Sequence, residues 1–173
     1  MPERSAAATS RSDSSRDDLV DALLSASRAM VALAARSVAD LDADVTLPQF
    51  RALVVLGSRG PQRIVDISAE LGVNPSTATR MCDRLVRKRL IRRYRSNTNR
   101  REVRLSLTQA GRDLVEEVTE RRRAELARLV AEMPSSRLKP LVAGLRSFAA
   151  AAGELPDDEW WLGWSAPEPT EAA

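Results

Sequence analysis

The sequence predicts a mainly α-helical chain with a small β-hairpin (α+β), divided into a compact basic lobe and a second, helical lobe. Three observations carry this. Several long stretches repeat apolar residues at helical spacing. One stretch, residues 90–107, switches to a period of two. Positive charge is gathered in one block: residues 59–108 hold 13 Lys/Arg against 4 Asp/Glu, a net of +9, while the 173-residue chain carries only +3.

The composition narrows the function classes. The chain has no histidine, which removes the commonest general base, the His-containing triads and the usual zinc ligand. Its single cysteine, Cys82, cannot form an internal disulfide. No Gly-rich phosphate loop or paired-carboxylate motif stands out, so the expectation is a non-enzyme with no cofactor and no metal. The N-terminus lacks the apolar core of a signal peptide, and no apolar run approaches the ~20 residues of a membrane span, so a cytoplasmic protein is expected.

Residues 1–15 are Ser, Ala, Thr and charge without periodicity, and read as a disordered arm. A first helix is expected over 16–40, with Leu19, Leu23, Ala26, Met30, Leu33 and Ala34 on one side. Thr46-Leu47-Pro48-Gln49 fits a capping box, and Val45 with Phe50 a hydrophobic staple. That second helix buries Phe50, Leu53, Val54 and Leu56, and Gly57 and Gly60-Pro61 are expected to end it.

A short third helix follows, with Ile64, Ile67 and Leu71 apolar and Ser68 small where two helices cross. Gly72 is placed for a turn that needs positive φ. Asn74 is an N-cap and Pro75 a first-turn residue, opening a fourth helix. Its inner face is Ala78, Met81, Cys82 and Leu85. Its outer face is Ser76, Thr77, Thr79, Arg80, Asp83, Arg84 and Arg87, where Asp83 and Arg87 stand at ion-pair spacing.

A ribbon then runs from Leu90 to Leu107. Ile91–Arg95 is one strand and Ser96-Asn97-Thr98-Asn99 the turn. In the return strand Val103, Leu105 and Leu107 alternate with polar residues. Arg95, Arg100 and Arg101 cluster at its tip. Helix, turn, helix and hairpin is the layout of a winged helix-turn-helix, about residues 46–108, which reads DNA in the major groove. Small hydroxyls near a helix start reach base edges, and arginines fork onto guanine or phosphate.

Beyond it, Thr108 caps a long helix expected to reach Met133. Its apolar side, Leu114, Val118, Leu126, Leu129 and Met133, is interrupted by Arg121-Arg122-Arg123, which could pair with acids or sit near DNA. A last helix, about 137–152, has Leu138, Leu141, Val142, Leu145, Phe148, Ala149 and Ala152 on one face, too apolar to be left wet. With the first helix, residues 109–153 form the expected dimerisation lobe. Residues 154–173 make a tail with six acids, no base and all three tryptophans, Trp160, Trp161 and Trp164. Disorder and docking onto the body or a partner subunit are both open for it.

Four segments together resemble one family: Leu47-Pro48-Gln49-Phe50; Asn74-Pro75-Ser76-Thr77; the wing Asn99-Arg100-Arg101; and Leu107-Thr108-x-x-Gly111. Over roughly 17–153 the chain resembles the MarR-type (multiple-antibiotic-resistance regulator) winged-helix proteins. The resemblance implies a homodimeric regulator, a single MarR-type domain over 16–153. Its helix from Asn74 would enter the major groove and its wing the minor groove through Arg101. The family's wing has Asp where this chain has Asn99, so the ion pair that would orient Arg101 is reduced here to an amide hydrogen bond.

The expected function is therefore a sequence-specific, DNA-binding transcriptional regulator acting on an inverted-repeat operator, a dimeric repressor that occludes a promoter. Its DNA-contacting residues would be Asn74, Ser76, Thr77, Thr79, Arg80, Arg84, Arg95, Arg100 and Arg101. The resemblance also implies release by a small phenolic or aromatic acid bound between the lobes. Met30, Phe50, Val54 and Leu114 are candidates to line that pocket, with a plain hydrophobic core as the alternative. A DNA-architectural protein with little sequence preference and a winged-helix protein-interaction module are the rival functions.

Overall fold

The computed structural model describes residues 3–39, 44–95 and 102–161. Six helices and one hairpin follow in the order α1 (Glu3–Ala39), α2 (Leu47–Arg59), α3 (Ile64–Glu70), α4 (Pro75–Arg87), β1 (Ile91–Arg95), β2 (Val103–Leu107), α5 (Gln109–Ala131) and α6 (Ser135–Ala151). A 3-10 turn, Asp157–Glu159, lies in the described part of the tail.

Most local signals act as expected. Thr46 makes both halves of the capping box with Gln49, and Val45 and Phe50 are both buried beside it. Asn74 accepts from the Thr77 amide at 2.9 Å, with Pro75 in the first turn of α4. Gly72 turns α3 into α4 at φ 62°. Ser68 does more than leave room: its hydroxyl donates to the Val73 carbonyl at 2.6 Å and ties the turn shut. Thr108 caps α5 by accepting from the Gly111 amide at 3.1 Å, and donates its own proton to the Arg89 carbonyl at 2.6 Å. Gly111 is required by a close approach, since a Cβ there would stand 2.0 Å from the Leu90 carbonyl oxygen.

The hairpin is antiparallel, with Ile91 opposite Leu107 and Arg95 opposite Val103. The backbone of Gln62 pairs in both directions with Leu105, at 3.0 and 2.8 Å, and so joins the α2–α3 link to the edge of the wing. One core runs through all these elements. Phe50, Leu53 and Leu56 of α2 meet Ile67 of α3, Cys82 and Leu85 of α4, Ile91 and Leu105 of the hairpin, and Leu114, Val115 and Val118 of α5. Side chains of this size contribute about 1.5–3 kcal/mol each when fully buried, and this cluster fixes the pose of α4.

Some expectations need correction. Helix α1 spans Glu3–Ala39, so residues 3–15, read as part of a disordered arm, lie within it; their run of alanines, the best helix formers, favours this. Gly57 does not end α2 but is buried within it, and the chain turns at Gly60 (φ 72°). Val103 is exposed despite its place in the alternation, because it pairs at the outer end of the hairpin beyond the core. Arg122 folds inward from the arginine triplet, its guanidinium 5.6 Å from the Phe50 ring and 3.4 Å from the Ser37 hydroxyl.

A second apolar surface is left open. Among the described side chains of α1, Leu33, Ser37 and Val38 near its end are buried, and Leu19, Val20, Leu24 and Val31 face outward. The far end of α5 exposes Leu129, Val130 and Met133. Helix α6 buries none of its side chains, and Phe148 is 52% exposed.

Candidate nucleic-acid interface

Helix α4 is anchored from below. Ala78, Cys82 and Leu85 are fully buried, with Met81 packed against them. The Cys82 thiol, in apolar surroundings, has its pKa pushed up to about 11. It is a packing group with little thiolate character. With that face fixed, the opposite one is set by helical geometry: Arg80, Arg84 and Arg87 are exposed along it.

At the start of α4 the hydroxyls are already oriented. Ser76 donates to the Asn74 side chain at 2.7 Å, and Thr79 donates to the Pro75 carbonyl at 2.8 Å. Their protons are spent locally, which leaves oxygen lone pairs as the acceptors these residues can offer. Arg80 reaches back to the Thr77 hydroxyl at 3.4 Å. Arg80 and Arg84 also border a cleft of about 300 Å³ against Thr46, Pro48 and Gln49 at the head of α2.

The hairpin stands beside this face. Ile91, Arg93 and Arg95 share one side of β1, and Ile91 is buried. Arg93 forms a 2.6 Å ion pair with Asp83 of α4. Asp83 is therefore tied to the wing, and the expected partnership with Arg87 along the helix is replaced. On the other side Arg92 stacks 5.9 Å from the Tyr94 ring and donates to Ser106 at 3.2 Å. Arg95 is exposed at the end of the strand. The expected tip residues Arg100 and Arg101, with Asn99, lie outside the described residues.

The structure thus brings Asn74, Ser76, Thr77, Thr79, Arg80, Arg84 and Arg95 onto adjoining exposed or half-buried surfaces of α4 and β1. Sequence reasoning missed Arg93. Its signal was strand alternation, which puts it on the same side as the buried Ile91 and so toward α4. At the head of α3, Asp66 pairs with Arg63 at 2.7 Å, and the hydrogen bond from that guanidinium holds the Asp66 carboxyl below its usual range.

The four residues expected to line an effector pocket divide between the core and the open surface of α1. Phe50 and Leu114 are filled core positions with Val54 packed against them. Met30, 45% exposed on α1, stands outside that cluster. Met30 lies on the open apolar surface of α1, the helix assigned to the expected dimerisation lobe.

Helix, turn, helix and basic hairpin on a shared core, with one helix presenting arginines, define a winged helix-turn-helix protein. Comparison with known proteins gives the same class. The model of the MarR family matches residues 45–103. The crystal structure of RV1404 from Mycobacterium tuberculosis is 46% identical, with a TM-score of 0.75 over 81% of this chain and 95% of that one. The HTH-type transcriptional repressor MdtR of Bacillus subtilis is 39% identical over 84 residues, 49% of this chain and 54% of MdtR. FabT of Streptococcus pneumoniae, crystallised in complex with DNA, has the same fold at 22% identity, with a TM-score of 0.66 over 80% of this chain and 97% of that one. The chain spans a little over half the length of curated relatives such as MdtR. The chain belongs to the MarR family.

Proposed function

We propose that this protein is a sequence-specific DNA-binding transcriptional regulator that works in the cytoplasm as a homodimer, and that it represses by occupying an inverted-repeat operator. The observation that carries the reading is the pose of α4. Its buried side is locked by Ala78, Cys82 and Leu85, while Arg80 and Arg84 project from the other side next to a basic hairpin. Such a helix fits the major groove, and the hairpin beside it follows the phosphate backbone.

The dimer is supported by the apolar surface of α1, α5 and α6. An isolated chain would leave Leu24, Leu129, Leu141, Leu145 and Phe148 in water. Each buried Å² of such surface returns about 25 cal/mol, so covering it with a second copy is strongly favoured. The two α4 helices would then read half-sites about one helical turn apart, ~34–36 Å. The relative MdtR, a transcriptional repressor, supports this reading. Release by a small aromatic acid stays part of the proposal, without the residue set Met30, Phe50, Val54 and Leu114.

The test is recovery of bound DNA from cells, footprinting of the strongest site, and titration of that duplex by fluorescence anisotropy. A regulator binds it at least ~10³-fold more tightly than random duplex, whereas a ratio well below that marks an architectural protein.

A further inference from the structure

The tail leaves α6 along a defined path. Gly153, at φ 76°, ends the helix in a left-handed turn, with its amide on the Ala150 carbonyl and that of Glu154 on the Ala149 carbonyl. The chain then crosses to α2. Glu154 pairs with Arg51 through both carboxylate oxygens. Arg59 donates to the Gly153 carbonyl at 2.9 Å. Trp160 packs on the core and donates its indole proton to the Leu155 carbonyl at 3.2 Å. The Trp161 amide donates to Ser58 at 2.9 Å, and its ring lies so close to Gly60 that a Cβ there would stand 2.8 Å from it.

The place where this segment lands is a joint. Gly60 is the positive-φ link from α2 to α3, and Gln62, two residues on, is paired to Leu105 of the wing. Helix α6, by contrast, buries no side chain of its own. Its C-terminal end is held to the body by these tail contacts.

We propose that residues 153–161 are a positioning strap: Trp161 seated on Gly60 fixes the end of α6 against the joint that carries the recognition helix and the wing, and thereby sets which half-site spacing the dimer accepts. The inference rests on the dimeric DNA-binding reading above. Two reading lobes on one dimer act as linked binding modules, whose effective concentration peaks when the link is stiff and matches the span. A loosened strap lowers that peak and broadens it. Trp161 is a positioning residue and touches no base in this scheme.

The experiment uses the full chain. Affinities are measured for wild type and Trp161→Ala on the operator, on the same operator with one or two base pairs inserted between half-sites, and on a single half-site. In wild type the insertions should weaken binding steeply. In Trp161→Ala that spacing penalty should shrink by about 10-fold, while half-site affinity stays unchanged. Arg51→Glu should do the same, and Arg51→Glu with Glu154→Arg should restore the penalty, which separates positioning from a folding defect. All three tryptophans of the chain lie in the tail, so intrinsic emission reports it directly; Arg51→Glu should shift it to the red and the charge swap should return it. An unchanged spacing penalty in Trp161→Ala with normal operator binding overturns the strap alone. Failure of wild type to bind any duplex overturns the strap together with the DNA-binding reading.

Discussion

Asp83 on α4 and Arg93 on β1 are joined by a 2.6 Å ion pair that bridges the helix and the hairpin. Both side chains are about one-third exposed, so the pair adds only ~0.2–1 kcal/mol to stability. Its larger consequence is geometric, because it adds a polar tie between hairpin and α4 on top of the core that Ile91 and Leu105 share with Cys82 and Leu85. A double-mutant cycle of Asp83→Ala and Arg93→Ala, read in operator affinity, should show a coupling of about 0.5–1 kcal/mol. Strictly additive losses would mean that the two residues act independently and that the wing angle is fixed elsewhere.

Arg80 and Arg84 should specify sequence as well as strengthen binding. Replacing either with Ala should cost ~1–3 kcal/mol on the operator and relax preference at one base pair. Competition assays against a library of single-base operator variants check this. Equal losses on operator and random duplex would reduce both residues to phosphate contacts.

The wing prediction rests on sequence, since Arg101 lies outside the described residues. A guanidinium at that tip fits a narrow A·T minor groove. Each phosphate neutralised contributes about −0.9 to the slope of log K against log[salt], and a dimer has two wings. Arg101→Ala should therefore flatten the slope by roughly two units while leaving thermal stability nearly unchanged. Asn99→Asp should move affinity up if a fixed Arg101 pose dominates, and down if repulsion from phosphate does. An unaltered slope for Arg101→Ala would remove the wing from the interface.

Cys82 gives an alkaline signature. Burial moves its thiol from an ordinary value of 9.0 to about 11, so the unfolded chain loses the proton first. The stability this protonated, buried thiol supports is complete below pH 9 and drains away as pH rises toward 11. Urea midpoints at about pH 8 and about pH 10.5 should differ more in wild type than in Cys82→Ala. The same drop in both would assign the alkaline loss to other groups.

The sequence made the basic lobe legible because its punctuation is chemical and local. Thr46 with Gln49, Asn74 with Pro75, and Thr108 before Gly111 each announce a helix start through a side chain and backbone they can satisfy alone. The turn after α4 was harder. It passes through Arg89 at φ 59°, a left-handed position with no glycine to mark it. The Asp83–Arg93 pair and the seat of Trp161 on Gly60 escaped the sequence because each joins residues by tertiary packing. Met30 shows a related limit: apolar spacing tells which residues share a helix side, and not what covers that side.

The most direct measurement is the stoichiometry and selectivity of binding to one footprinted operator. Light scattering at micromolar concentration, with anisotropy titration of that duplex against random duplex, should give a dimer in solution. It should also give one dimer per inverted repeat and a specific-to-nonspecific ratio of at least ~10³ at physiological salt. A stable monomer, or equal affinity for operator and random duplex, would contradict a dimeric sequence-reading regulator.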